Sequence, residues 1–199
     1  EALLTNSTNN DLTAVGYNAL KLSTDGQNSA FGSYAMATSS TGAGNAAMGY
    51  KSMQDNTTGN HNTALGYQSL QANTTGARNI AIGYNAYDAS DTENDNLAIG
   101  HSAMTTNTAG GEYNVAIGNY VLDALTSGDY NTAVGNSAMT SCTTGAKNTA
   151  LGRNSLGTLT TGTNNTAVGR NSLFESTTGS RNTAIGDNAG FNLTTGSHN

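Results

Sequence analysis

The sequence predicts an all-β chain wound as a parallel β-solenoid, or β-roll, with coils of about 17 residues. Three observations carry that expectation. A tripeptide of Ala, a large apolar residue and Gly recurs along the whole chain. Each recurrence holds two small-then-large apolar pairs, separated by glycine and polar residues. Thr, Asn, Ala and Gly fill 111 of 199 positions and Pro fills none, far from ordinary globular usage and suited to an unbroken backbone ladder.

The tripeptide begins at Ala14, Ala30, Ala47, Ala64, Ala81, Ala98, Ala116, Ala133, Ala150, Ala167 and Ala184. The spacings are 16, then 17 four times, then 18, then 17 four times. Self-similarity at a fixed period is the signature of a solenoid. The glycines that close the tripeptide are Gly16, Gly32, Gly49, Gly66, Gly83, Gly100, Gly118, Gly135, Gly152, Gly169 and Gly186. Two residues before the alanine stands Asn28, Asn45, Asn62, Asn79, Asn96, Asn114, Asn131, Asn148, Asn165 or Asn182; Leu12 replaces it in the first copy. Most copies close on Thr-Thr-Gly, as in Thr74-Thr75-Gly76.

Ala2-Leu3 match Ser69-Leu70 of a later copy, and Asn9 falls where later copies carry the loop glycine. Asn is a common substitute for Gly at positive φ. Asn199 stands where a further copy would open. The chain is therefore expected to be one repeat domain, 1–199, of eleven-odd coils, cut within a repeat at both ends and without the polar caps that solenoids carry. A segment of a longer protein is the reading.

Ala64 and Leu65 are adjacent and apolar, so on a strand they point to opposite faces. Ser69 and Leu70 repeat that arrangement, predicting two short strands per coil, divided by the bends at Gly66 and Gly76. Stacked in register at about 4.8 Å, such coils form a roll about 55 Å long. One ladder runs through Val15, Phe31, Met48, Leu65, Ile82, Ile99, Ile117, Val134, Leu151, Val168 and Ile185. A second runs through Leu20, Met36, Met53, Leu70, Tyr87, Met104, Leu122, Met139, Leu156 and Leu173. The asparagines predict a third, with amides hydrogen-bonded along the stack. With one apolar face filling the coil, the other is left for neighbouring chains. The expected assignment puts the large residues inside and the alanine stripe against identical stripes, where only a small side chain permits close approach. Oligomerisation is the remedy for so thin a core.

Charge and cysteine content narrow the function classes. A net charge of −6 argues against nucleic acid, which needs a basic footprint. No apolar run approaches the ~18 residues of a membrane-spanning helix. The lone Cys142 provides neither a disulfide framework nor a thiolate zinc site; it lies in a polar stretch and reads as a free thiol.

The unit Asn182-Thr183-Ala184-Ile185-Gly186, with Ser/Ala-Leu and then Thr-Thr-Gly, resembles two related groups. One is the head repeat of YadA-like trimeric autotransporter adhesins; the other is the longer Asn-Thr-Thr-Gly repeat of tail-fibre-like proteins of phages and other viruses. The resemblance covers essentially the whole chain, and the longer unit with its Thr-Thr-Gly loop favours the fibre group. It implies a left-handed roll assembled as a homotrimer, exposed on a virion or outer cell surface, without catalytic residues or cofactors. Its implied partners are further copies of the chain and a host-surface glycan or protein receptor.

Candidate sites are few. Tyr17, Tyr50, Tyr67 and Tyr84 share the position after the bend glycine, interrupted by Ser33, and could stack on sugars or pack on a partner. The bland alternative is that they cover the roll or a subunit seam. Asp88, Asp91, Glu93 and Asp95 concentrate acids in the one copy whose loop glycine is replaced, by Glu93. Oxygen ligands at such spacing could hold Ca²⁺, but the run matches neither an EF-hand loop nor the glycine-rich calcium repeat, and a solvated irregular loop is expected. His61, His101 and His198 lie in different copies, and no nucleophile triad is suggested, so the chain reads as not an enzyme. The leading function is a structural and adhesive segment of a surface fibre. The alternatives are an ice-binding solenoid, which needs a flat Thr array, and a polysaccharide-degrading fibre, which needs an acid pair on one face.

Overall fold

The computed structural model describes residues 1–3, 11–24, 26–107 and 110–199; Asn9 lies outside them. Among the described residues, eleven three-residue strands form one parallel sheet in strict chain order: β1 (Thr13–Val15), β2 (Ser29–Phe31), β3 (Ala46–Met48), β4 (Thr63–Leu65), β5 (Ile80–Ile82), β6 (Leu97–Ile99), β7 (Val115–Ile117), β8 (Thr132–Val134), β9 (Thr149–Leu151), β10 (Thr166–Val168) and β11 (Thr183–Ile185). Alanine pairs with alanine at every step, from Ala14↔Ala30 to Ala167↔Ala184. Neither the short first interval nor the residue added near Gly110-Gly111 disturbs that register (Leu97↔Val115). Loops absorb the length changes because a one-residue slip in the sheet would turn every side chain to the wrong face.

The coil of residues 62–78 shows the design. Thr63-Ala64-Leu65 is extended, then Gly66 turns the chain at φ 143°. Gln68 and Leu70 follow at φ 53° and 51°, and Arg78 at 60° ends the coil. The expected second strand is therefore absent: the Ser69-Leu70 segment is a run of turns. Left-handed corners on either side of the Gln68–Ser69 and Ser69–Leu70 peptides, at Gln68 and Leu70, cannot belong to a pleated strand, and they swing Ser69 and Leu70 to the same side. Both are fully buried. All ten residues of the second ladder take this left-handed conformation, with φ between 47° and 55°. That conformation costs about 1–2 kcal/mol for a residue with a Cβ, which burial of a Leu or Met, worth about 1.5–3 kcal/mol, offsets.

The orientation of the strand also corrects an expectation. Alanine faces inward and the large residue outward: Ala64 is 1% exposed, Leu65 42%. From Ala30 to Ala167 every tripeptide alanine is buried. The reason is the narrow cross-section. The ladder of Leu70 and its equivalents fills the interior and shares one core with the alanines, so the strand can contribute no more than a methyl.

A third interior row lies three residues after the large one: Asn73, Leu125, Cys142 and Leu159 are examples, all fully buried. Cys142 thus belongs to the core rather than to a polar loop, although it is a free thiol as expected. The asparagine ladder forms as predicted. Asn62 Oδ1 accepts the backbone N–H of Asn79 at 2.8 Å, and Asn62 Nδ2 donates to the Gly76 carbonyl at 2.8 Å, closing its own coil. Equivalent bonds recur from Asn28 to Asn182.

The two glycine rows have different causes. Bend glycines such as Gly66 combine positive φ with backbone contact to the next coil. Gly59 and Gly76 are not at positive φ; a Cβ there would strike the Gly76 or Glu93 carbonyl of the coil above. Close approach, not left-handed backbone, demands glycine in the loop.

Candidate functional surface

The sheet's outer face is built by the residues flanking each inward alanine. Thr63, Thr132, Thr149, Thr166 and Thr183, with Ile80, Leu97 and Val115 between them, form one row. The ladder from Val15 to Ile185 forms the other, with Val15 57%, Met48 52% and Ile185 71% exposed. Where Ala46 takes the place of a larger residue, the face dips into a shallow apolar depression edged by Phe31, Met48 and Leu65. Val15, Phe31, Met48, Leu65, Leu151 and Ile185 of this ladder are exposed large apolar side chains, and a contiguous apolar row of that kind marks an interaction surface more often than a free one.

Past the bend glycines runs the aromatic column. Tyr50 and Tyr67 stack with centroids 5.3 Å apart, Tyr67 and Tyr84 at 5.1 Å and 6°, Tyr84 and His101 at 5.1 Å and 10°. Tyr34 fills the gap at Ser33, meeting Tyr17 and Tyr50 edge to face at 5.4 and 6.2 Å. Tyr120 extends the column beyond His101. Because neighbouring rings cover one another's faces, the column presents phenol edges and hydroxyls to solvent. Two further stacks lie elsewhere, Tyr113 on Tyr130 at 5.0 Å and Phe174 on Phe191 at 5.3 Å. Motif alignment misses Tyr34 and Tyr120, which sit one residue later in their copies. The plain spacing of tyrosines, 17 from Tyr17 to Tyr34, carries the signal for Tyr34, and the same spacing marks the separate pair Tyr113 and Tyr130; no tyrosine stands 17 residues from Tyr120.

The acidic residues of the irregular coil are engaged separately. Asp95 pairs with Arg78 at 2.6 Å, and the hydrogen bonds from Arg78 hold its carboxyl below the usual range. Asp91 accepts a short hydrogen bond from Thr74 Oγ1. Burial pushes the Asp88 carboxyl up. Glu93 departs most from a solvated loop: it is 2% exposed, its carboxylate accepting from the backbone N–H groups of Asp91, Thr92 and Gly110 and from Ser90 Oγ. Beside it, buried Tyr87 accepts hydrogen bonds from Asn96 Nδ2 at 2.6 Å and Asn107 Nδ2 at 3.0 Å. Glu93 caps loop N–H groups at the coil where its neighbours have only a glycine, and three or four donors satisfy a buried carboxylate.

Among the described residues no three His, Cys, Asp or Glu side chains gather as a metal-binding group, and no helix is long and apolar enough to cross a membrane. Arg170–Asp187 forms a second ion pair at 2.9 Å on the column that carries tyrosines earlier in the chain. The fold and these surfaces define a β-solenoid repeat protein with one long apolar sheet face and an aromatic edge. Comparison with protein-family models, curated proteins and solved structures found no match.

Proposed function

We propose that the chain is a structural and adhesive segment of a surface fibre, assembled as a homotrimer of left-handed rolls and exposed on a virion or outer cell surface. It works without catalytic residues, attaching to a host-surface glycan or protein. The observation that carries this reading is the apolar row from Val15 to Ile185 on the outer sheet face. Leaving it in water costs free energy at every coil, and apposing copies of the same flat sheet removes that cost. The resemblance of the repeat to adhesin heads and viral tail fibres supplies the symmetry, the hand and the setting.

Sedimentation equilibrium at micromolar concentration tests it. The parent is expected at three times the chain mass, and Leu65→Lys with Leu151→Lys is expected to release folded monomers, since both side chains point away from the interior. A well-folded parent monomer overturns the assembly. Retention on an immobilised glycan panel, lost on changing Tyr67 and Tyr84, tests the adhesive part.

One observation favours a second reading, an ice-binding face. Thr132, Thr149, Thr166 and Thr183 repeat along the outer sheet with an aliphatic residue two positions on, placing hydroxyls and methyls about 4.8 Å apart. The row is broken by Ile80, Leu97 and Val115. Thermal hysteresis at millimolar concentration would support it.

A further inference from the structure

We propose that the stacked tyrosine pairs are sites of intrachain dityrosine cross-linking, fastening adjacent coils covalently under oxidising conditions. Three pairs are stacked: Tyr50 with Tyr67, Tyr67 with Tyr84, and Tyr113 with Tyr130, the last two within 6° of parallel. All five rings are two-fifths exposed or more. A parallel in-register arrangement fixes the partners: the backbones beneath each pair lie about 4.8 Å apart, and the same residue of successive coils meets with no loop between. The inference does not rest on the fibre reading.

The chemistry balances with hydrogen peroxide and a haem peroxidase as one-electron oxidant. Each phenol loses one electron and its hydroxyl proton to become a phenoxyl radical. The two radicals join through their ortho ring carbons, and each coupled carbon then returns its hydrogen to the oxygen, restoring both phenols. Two electrons and two protons leave the pair, and the peroxide takes them up as it is reduced to two waters. Stacking supplies what coupling needs, a second phenol already in place when the first is oxidised, so the step is effectively unimolecular. Tyr87 provides an internal contrast. It is fully buried and, among the described residues, stacks on no other ring, its hydroxyl held by Asn96 and Asn107, so it is expected to stay out of the product.

The test is limited oxidation of the intact chain by a haem peroxidase with substoichiometric peroxide, followed by digestion and mass spectrometry of the cross-linked peptides. Tyr67–Tyr84 and Tyr113–Tyr130 links, each two hydrogens lighter than its parts, are expected within single chains. They should form at least about tenfold faster than in the same chain unfolded in urea. Tyr113→Phe should remove the second link and leave the first; Tyr84→Phe should leave the second and move the first to Tyr50–Tyr67. Links found only between chains, or pairings that are the same folded and unfolded, would overturn the proposal.

Discussion

Asn62 and Asn79, 17 residues apart, are joined by a bond that no strand supplies: the side-chain oxygen of the first accepts the backbone N–H of the second at 2.8 Å. The amide nitrogen of Asn62 meanwhile closes its own coil on the Gly76 carbonyl. One buried side chain therefore ties its coil shut and ties it to the next. Only a side chain with an acceptor and a donor on one carbon can do both from this position.

Asn62→Ala leaves the buried Asn79 N–H without its partner, while the Gly76 carbonyl keeps the second donor, Asn73 Nδ2 at 3.1 Å. One unsatisfied buried group costs about 1–3 kcal/mol, and that is the loss expected by urea denaturation. Asn62→Asp keeps the acceptor but turns a carboxylate oxygen on the Gly76 carbonyl, and should be no better tolerated. Lys147→Ala, on the exposed edge, should stay within about 0.5 kcal/mol of the parent.

Gly66→Val places a Cβ onto the Gly83 carbonyl oxygen at a residue with φ 143°. Backbone strain and overpacking each contribute about 1–3 kcal/mol. The expected cost is therefore about 2–6 kcal/mol, against near-neutral Thr58→Ser. Thermal melts of the three proteins decide it; equal melting temperatures would sink the close-approach argument.

Ala81→Gln should unfold the coils around it whether or not the chain assembles, because Ala81 faces the interior. Ile82→Gln, one residue on and facing out, should leave circular dichroism unchanged and lower the assembled mass. If the two variants behave alike, the inward alanine is not what limits the strand.

Burial pushes the Cys142 thiol up to about 12, so the thiolate that attacks alkylating agents is scarce in the folded chain. Iodoacetamide at pH 8 should label Cys142 only as fast as the coil opens, and rapidly in urea. Fast labelling in buffer would mean the side chain is not interior.

Asp88 and Asp95 should respond oppositely to acid. The Arg78 hydrogen bonds depress Asp95, so its contribution is present above the unfolded carboxylate value of about 3.9 and is lost as pH falls through the lower folded value. Asp88 is raised by burial; its charged form opposes folding at neutral pH, and that penalty fades as pH falls through the raised value. Asp88→Asn is therefore expected to stabilise at pH 7 and to lose the advantage below pH 4. Arg78→Ala should do the reverse, destabilising slightly at pH 7 and not at all in strong acid, in paired urea titrations.

The sequence by itself determined the repeat, its 17-residue period, the parallel in-register sheet, the interior ladder from Leu20 to Leu173 and the asparagine ladder. These follow from identity between copies, because stacking equal coils places equal residues over one another whatever path each coil takes. Tertiary structure alone decided that path. Period-two alternation says that Ala64 and Leu65 face opposite ways but not which way is in; the inward swing of Leu70 at a left-handed corner leaves room for a methyl and turns Leu65 out. It also decided that Ser69-Leu70 is a corner rather than a strand, that Tyr34 completes the aromatic column, and that Glu93 and Cys142 are buried. The corner at Leu70 and the placement of Tyr34 go with positive φ at residues other than glycine, which side-chain pattern does not encode and which only the closure of the whole coil selects.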